Sequence, residues 1–365
     1  MKPMKALLIG PVPPPIGGDT VSTANLLASR YWGERGITVS HIDSSPGAGV
    51  RLPDGRLSLC DALRGVGIVS RVLPRLWRCD IVLLWANSRF ICTAGLAIIL
   101  LARMSGRPVV VKVFGALLAE RMLAFSGPRR RLTISLLSKA DSILPQTRGL
   151  AEQLHRELGL PAEKVVTFPN YIPDGALAEG PAVREYGGRC IFIGQVKREK
   201  GVFDIIDAVA GTRHRCDLYG PVLERDARLL GERLSGYDNI QYRGLADPDE
   251  VPGILRGYDA LLLPTYHVGE GYPAVILQAF AAGVPVIASD WLSIPDLVED
   301  GVRGLLVPTH SPGRLREALD RLAADPALSG ALAAAAYEYV KSFSERAVVD
   351  DILISRLSEV CGTRR

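Results

Sequence analysis

Short apolar, β-branched runs alternate along the chain with longer stretches whose apolar positions recur every three to four residues. The first kind reads as strands and the second as helices, and their regular alternation predicts parallel sheets wrapped by helices. In the first half the strand candidates are "ALLIG" (6–10), "ITVSHI" (37–42), "DIVLLW" (80–85), "PVVVKV" (108–113), "SILPQ" (142–146) and "KVVTF" (164–168). The stretch 169–189, "PNYIPDGALAEGPAVREYGGR", is dense in Pro and Gly and has neither period, so it reads as a linker. The series then restarts with "CIFIG" (190–194), "CDLYG" (216–220), "IQYRG" (240–244), "ALLLP" (260–264), "PVIAS" (285–289) and "GLLVP" (304–308). The pattern predicts an α/β chain of two doubly wound domains facing one another: residues 1–170, a linker at 171–189, and residues 190–343. From about Ser311 the tail reads as consecutive helices, with Ser344–Glu345 starting a last helix over 344–365 that returns toward the first domain.

A length of 365 residues with 48% apolar composition suits two domains with cores of their own. Cys60, Cys79, Cys92, Cys190, Cys216 and Cys361 lie far apart, without CxxC or metal-ligand spacing, and read as reduced cytosolic thiols. The basic start "MKPMKALLIGPVPPP" has too short an apolar run for a signal peptide, and no stretch reaches the roughly twenty apolar residues of a bilayer span. A cytoplasmic protein is expected. Net charge is +4, yet residues 1–168 hold 22 Lys and Arg against 11 Asp and Glu, while residues 169–365 hold 21 against 28. A basic first half favours anionic partners. Basic residues without interleaved aromatics or a recognised module argue against nucleic acid.

Three loops carry candidate chemistry. In "LLIGPVPPPIGGDTVSTANLL" a proline-stiffened loop delivers Gly17 and Gly18 to a helix capped by Asp19 or Thr20, so that backbone N–H groups can approach a phosphate or a sugar. It is not the GxGxxG fingerprint of dinucleotide enzymes. In "FIGQVKREKGVFDIIDAV" the cations Lys197, Arg198 and Lys200 precede Gly201 and a helix from Val202, a setting for a doubly charged anion. Taken singly, each loop also reads as an ordinary turn or a solvated basic segment.

The third loop is "GEGYPAVILQAFAAGVPVIAS" (269–289), where one acid, Glu270, precedes nineteen uncharged residues. Pro273 is expected at the first helical position, leaving the amides of Gly271, Tyr272, Ala274 and Val275 free. Glu270, at the loop's tip, can accept from sugar hydroxyls, and Gln278 is expected about two helical turns along. His267, in the same loop, is a further candidate sugar contact. His41, His155, His214 and His310 read as surface or strand-end residues.

These loops, with "PPPIGG" and "SIPDLVEDGVRGLLVP", resemble in order the retaining glycosyltransferases of family four, of GT-B architecture with two facing Rossmann-like domains. The resemblance implies that Glu270 contacts the transferred sugar and that Lys200 neutralises the leaving diphosphate. Gly17 and Gly18 would lie beside the diphosphate, and Gly220 and Gly244 where the base is held. Three positions depart from the family pattern. Gln278 stands for a ribose-binding glutamate, Gln195 for an arginine after the strand glycine, and Phe114 for a histidine; "PNY" (169–171) also replaces the family's "PNG" turn. A second positive charge would then come from Lys197 or Arg198.

The implied reaction moves a sugar, with retention, from a nucleotide-diphosphate sugar to a glycan or lipid-linked oligosaccharide in bacterial cell-surface polysaccharide synthesis. The nucleotide sugar is a co-substrate, and no cofactor or metal is implied. The acids of "DPDE" (247–250) and "VVDD" (348–351) read as helix-start and solvent-face residues. An arginine cluster with Leu132, Leu136 and Leu137 in "GPRRRLTISLLSK" (127–139) suits anionic lipid headgroups, and predicts peripheral attachment to the cytoplasmic face of the inner membrane. The three departures also raise a non-catalytic GT-B partner or nucleotide-binding subunit as an alternative. A nucleotide-sugar epimerase is disfavoured by Lys200 and Glu270 at family spacing.

Overall fold

The computed structural model describes residues 3–45, 59–177, 180 and 186–362; the linker expected at 171–189 lies partly outside them. The chain divides into two units, Met1–Pro169 with Glu345–Arg365, and Asn170–Ser344.

The first unit holds strands β1 (Met4–Gly10), β2 (Ile37–Asp43), β3 (Ile81–Asn87), β4 (Val109–Phe114) and β5 (Ser142–Pro145). They form one parallel sheet in the order β2-β1-β3-β4-β5. The central strands are continuous apolar runs because helices cover both faces, and Leu7, Ile9, Val82, Leu84 and Val111 are fully buried in one cluster. "KVVTF" is not a strand of this sheet. It makes a single bridge, Ile143 with Val165, and sends N–H groups from Val166 and Phe168 to Ile143 and Pro145. Pro145 has no N–H with which to continue the ladder.

The second unit holds β6 (Arg189–Ile193), β7 (Arg215–Tyr219), β8 (Ile240–Gly244), β9 (Ala260–Leu263), β10 (Val286–Ser289) and β11 (Leu305–Val307). The order β11-β10-β9-β6-β7-β8 is again all parallel. Strand order reverses between β6 and β9, which is the switch point where loops diverge and a crevice opens beyond the strand ends. The helices Val202–Val209 and Ala274–Ala281 follow these two strands and bury Ile205, Ile206, Ile276 and Phe280.

The C-terminal residues pack on the first unit through a π-helix, Arg346–Ile354, and the helix Ser355–Gly362. Asp350 of "VVDD" is therefore not on a solvent face: it is buried, and Arg35 donates to it twice, at 2.7 and 2.6 Å. His214 is likewise buried, between the Tyr186 hydroxyl at 3.1 Å and Asp320 Oδ1 at 3.0 Å. The helix Gly127–Leu137 does not present its leucines as one stripe. Leu137 is buried and Leu132 exposed, because five residues at 100° each put them about 140° apart. All six cysteines are free thiols. No described helix is long and apolar enough to cross a membrane.

Candidate active site

The loops after β6 and β9 meet at the switch point of the second unit. Their approach is set by Gly201, which has φ 74°; a Cβ there would lie 2.1 Å from the Pro264 carbonyl oxygen. Gly220, with φ 131°, closes against the Gly194 carbonyl in the same way, at 1.9 Å. Only glycine allows either contact. Gly220 also donates its N–H to Gly244 and accepts from the Tyr242 hydroxyl, so the ends of β7 and β8 are tied together beside the β6 loop.

Lys200 ends the short 3-10 turn Arg198–Lys200, and its ammonium donates to both oxygens of Glu270, at 2.9 and 2.6 Å. Glu270 is buried rather than open at a loop tip. The Thr265 hydroxyl donates to its Oε2 at 2.9 Å, and the Glu270 N–H turns back to the His267 carbonyl. Thr265 is itself held at the end of β9, where Ser289 of β10 donates to its carbonyl. The β6 loop and the β9 loop are further joined by the Tyr266 N–H, which donates to the Glu199 carbonyl at 2.9 Å.

Lys197 is buried near this pair, with Nζ 3.4 Å from His267 Nδ1. Burial and then the neighbouring Lys200 lower the pKa of Lys197. The same burial, with Lys197 and Lys200 close by, pushes His267 down to about 4, so its imidazole is neutral at pH 7. The indole of Trp291 fixes the His267 carbonyl at 3.0 Å. Arg198 does not join them: it is exposed and lies over the Phe203 ring, 5.1 Å from its centroid. The second cation near Glu270 is thus Lys197. Gln195 is half-buried in the loop that follows β6.

Pro273 is the N-cap rather than the first helical residue, and the helix begins at Ala274. The N–H groups of Ala274 and Val275 therefore open the helix, where intrahelical acceptors are lacking. Gly271 and Tyr272 are buried just before it; Ser293 donates to the Gly271 carbonyl and Asn170 to that of Tyr272. Because residues 270–273 are not helical, Gln278 sits one turn into the helix instead of two from Glu270. Its side chain is half-buried and makes no hydrogen bond among the described residues. In the first unit Gly17 caps the helix Gly18–Ala28, in place of Asp19 or Thr20, and donates its N–H to Thr20 Oγ1 at 2.9 Å. Phe114 ends β4, buried.

The sequence gives no direct signal for the roles of Thr265, Ser289 and Trp291. Thr265 directly follows the strand run "ALLLP", a place where a short hydroxyl side chain can reach back into the loop it opens. Chemically, two lysines, two helix N-termini and one carboxylate converge at the ends of β6 and β9. This arrangement can screen a phosphate group while accepting hydroxyl protons from an attached polyol. No described cluster of three His, Cys, Asp or Glu is placed to hold a metal ion.

Comparison with known proteins agrees with this layout. The glycosyl transferases group 1 family matches residues 187–325, and the glycosyl transferase 4-like domain matches residues 23–171. A D-inositol 3-phosphate glycosyltransferase of Streptomyces bingchenggensis is 28% identical over 84% of this chain and 72% of its own length. A second such enzyme, of Streptomyces avermitilis, is 25% identical over 84% of this chain and 71% of its own length, whereas an exopolysaccharide phosphotransferase of Streptomyces coelicolor, 29% identical over 57% of this chain, is spanned over only 22% of its length. Among solved structures, the Anabaena protein HepE in complex with UDP and glucose superposes with a TM-score of 0.73 at 18% identity, over 97% of this chain and all of that one. The sucrose-phosphate synthase of Thermosynechococcus elongatus gives 0.76 at 17% identity, over 99% of this chain and all of that one. With two parallel-sheet Rossmann-like domains and both family matches in chain order, the protein belongs to the family four glycosyltransferases of GT-B fold.

Proposed function

We propose that this glycosyltransferase moves a hexose from a nucleotide-diphosphate sugar to a glycan or lipid-linked oligosaccharide, with retention and without a metal ion, in bacterial cell-surface polysaccharide synthesis. The observation that carries the reading is the Lys200–Glu270 pair, flanked by buried Lys197 at the switch point of the second unit. A diphosphate is a good leaving group once its charge is screened, so catalysis rests on positioning and electrostatic stabilisation. Lys200 turns from Glu270 to the leaving phosphate, and Lys197 supplies the second charge that Gln195 lacks. Glu270, released from its lysine but still held by Thr265, accepts hydroxyls of the transferred sugar. The amides of Ala274 and Val275 add the dipole of the helix N-terminus. Gly220 and Gly244 shape the place of the base.

Gln278 contacts the ribose with one donor and one acceptor, a weaker grip than a carboxylate on two hydroxyls. The relative in Streptomyces acts on an inositol phosphate by name, and HepE is described with UDP and glucose. Uridine donors are therefore the first to try. On the acceptor side the basic first half of the chain supports work at the cytoplasmic face of an anionic membrane. The test is release of nucleoside diphosphate from a panel of nucleotide sugars, with and without a bacterial lipid extract as acceptor. Turnover in wild type and its loss in Glu270→Gln upholds the reading. Absence of turnover across the panel, unrelieved by Gln278→Glu, favours a non-catalytic partner subunit.

A further inference from the structure

The helix Leu59–Leu76, continued through the turn at Trp77 and Arg78, has three separate faces. At 100° per residue Ile68, Val72 and Leu76 fall on one side, and all three are buried. Leu63, Val66, Leu73 and Trp77 fall within an arc of about 80° on a second side, where they are 64%, 67%, 44% and 73% exposed. Arg64, Arg71, Arg75 and Arg78 share the third, and no Asp or Glu occurs between residues 62 and 79. The adjoining helix Leu96–Met104 packs against this one and ends in an exposed side chain of its own, Met104, 75% exposed.

The core accounts for the first face only. Exposed apolar side chains are ordinary when scattered, but four at helical spacing beside a basic stripe form a patch that calls for a partner. Arg75 donates to the Arg71 carbonyl and Arg71 to that of Asp43. Among the described residues none of Arg71, Arg75 and Arg78 pairs with a carboxylate. A helix with an apolar stripe, a tryptophan near one end and arginines along the next face matches an anionic bilayer surface: the stripe enters the headgroup boundary while the guanidinium groups reach lipid phosphates.

We propose that this face of the first unit, rather than the Gly127–Leu137 helix, seats the protein on anionic membrane lipids. It deepens the membrane part of the proposed function and rests on that reading for its purpose, though not for its geometry. Peripheral attachment of this kind would hold the chain at the surface where lipid-linked acceptors lie.

The full chain is mixed at low salt with vesicles of phosphatidylglycerol and phosphatidylcholine, or of phosphatidylcholine alone, and sedimented. Binding is expected to the anionic vesicles only. Bromine-labelled acyl chains in those vesicles should quench tryptophan emission, and Trp77→Phe should remove that quench while binding persists. Leu73→Ser with Trp77→Ser should weaken binding by about tenfold or more, with thermal unfolding unchanged because both side chains are exposed. No sedimentation of wild type, or equal sedimentation of the double variant, overturns the proposal. So does a double variant that only converts a dimer to a monomer, which would assign the face to a second copy of the chain. UDP is added to the same samples as a thermal-shift ligand. Stabilisation by UDP without sedimentation overturns the docking alone, whereas sedimentation without any nucleotide response upholds it and counts against the proposed function.

Discussion

The ammonium of Lys200 lies 2.6 Å from one carboxylate oxygen of Glu270 and 2.9 Å from the other, joining the loop after β6 to the loop after β9. The two residues are seventy positions apart, and both are mostly withdrawn from water. A partly buried carboxylate of this kind is stable when paired and costly when abandoned. The pair therefore holds the two loops in register, and it can be exchanged for a ligand only if the ligand brings its own negative charge.

Breaking the pair from one side should be worse than removing it altogether. Lys200→Met is expected to lower stability by about 1–3 kcal/mol, because Glu270 keeps only the Thr265 hydroxyl. Lys200→Met with Glu270→Gln should recover part of that loss. Urea unfolding of the two single variants and the double variant gives the coupling directly; strict additivity would mean that the pair carries no energy.

The imidazole of His267 gives a pH dependence with a definite sign. Its folded value, about 4, lies below the ordinary value of 6.5. Below pH 6.5 the unfolded chain takes up a proton that the folded chain refuses until about pH 4. The contribution of His267 to stability is thus fully present above pH 6.5 and is lost as pH falls toward 4. Thermal midpoints measured from pH 7 to pH 4 should fall less steeply in His267→Gln than in wild type. Equal slopes would place the histidine in open solvent.

Gly201 and Gly220 should tolerate no side chain. Alanine at either meets a carbonyl oxygen at contact distances far inside van der Waals range, in a backbone conformation that L-residues avoid. Each substitution is expected to cost at least about 2 kcal/mol. Gly211, which has φ 66° but open space around its Cβ position, is the control, and alanine there should cost about 1 kcal/mol. A Gly201→Ala protein as stable as Gly211→Ala would show that the loops can separate freely.

Much of this arrangement is legible in the chain. Eleven of the strand runs appear where apolar alternation puts them, because buried parallel strands are too apolar to be confused with the segments around them. "KVVTF" has the same composition but runs beside Pro145, and a missing N–H in a neighbouring strand leaves no trace in the pattern itself. Lys200 and Glu270 stand out as charges beside glycines, yet their pairing is a matter of how two distant loops fold over Gly201 and Pro264. Thr265 was invisible for the same reason. His214, Tyr186 and Asp320 come from three separate segments, so no local spacing announces their contact.

The position of Gln278, one turn into the helix and with no hydrogen-bond partner for its side chain among the described residues, gives a gain-of-binding test. Gln278→Glu should tighten nucleoside diphosphate binding by about 1–2 kcal/mol, roughly five- to thirtyfold, if the side chain faces a ribose diol. Titration calorimetry of both proteins decides it. Unchanged or weaker affinity would remove Gln278 from the donor contacts.

Lys200 and Glu270 are expected to exchange their mutual contact for a nucleotide-diphosphate sugar. The most direct measurement is calorimetric titration of wild type, Lys200→Ala and Glu270→Gln with UDP, GDP, ADP and their sugar conjugates. One base should bind to wild type, and Lys200→Ala should lose both the free diphosphate and the conjugate. Glu270→Gln should keep the diphosphate and lose the advantage of the attached sugar. Binding that is indifferent to both substitutions would contradict the account and move the nucleotide site away from the ends of β6 and β9.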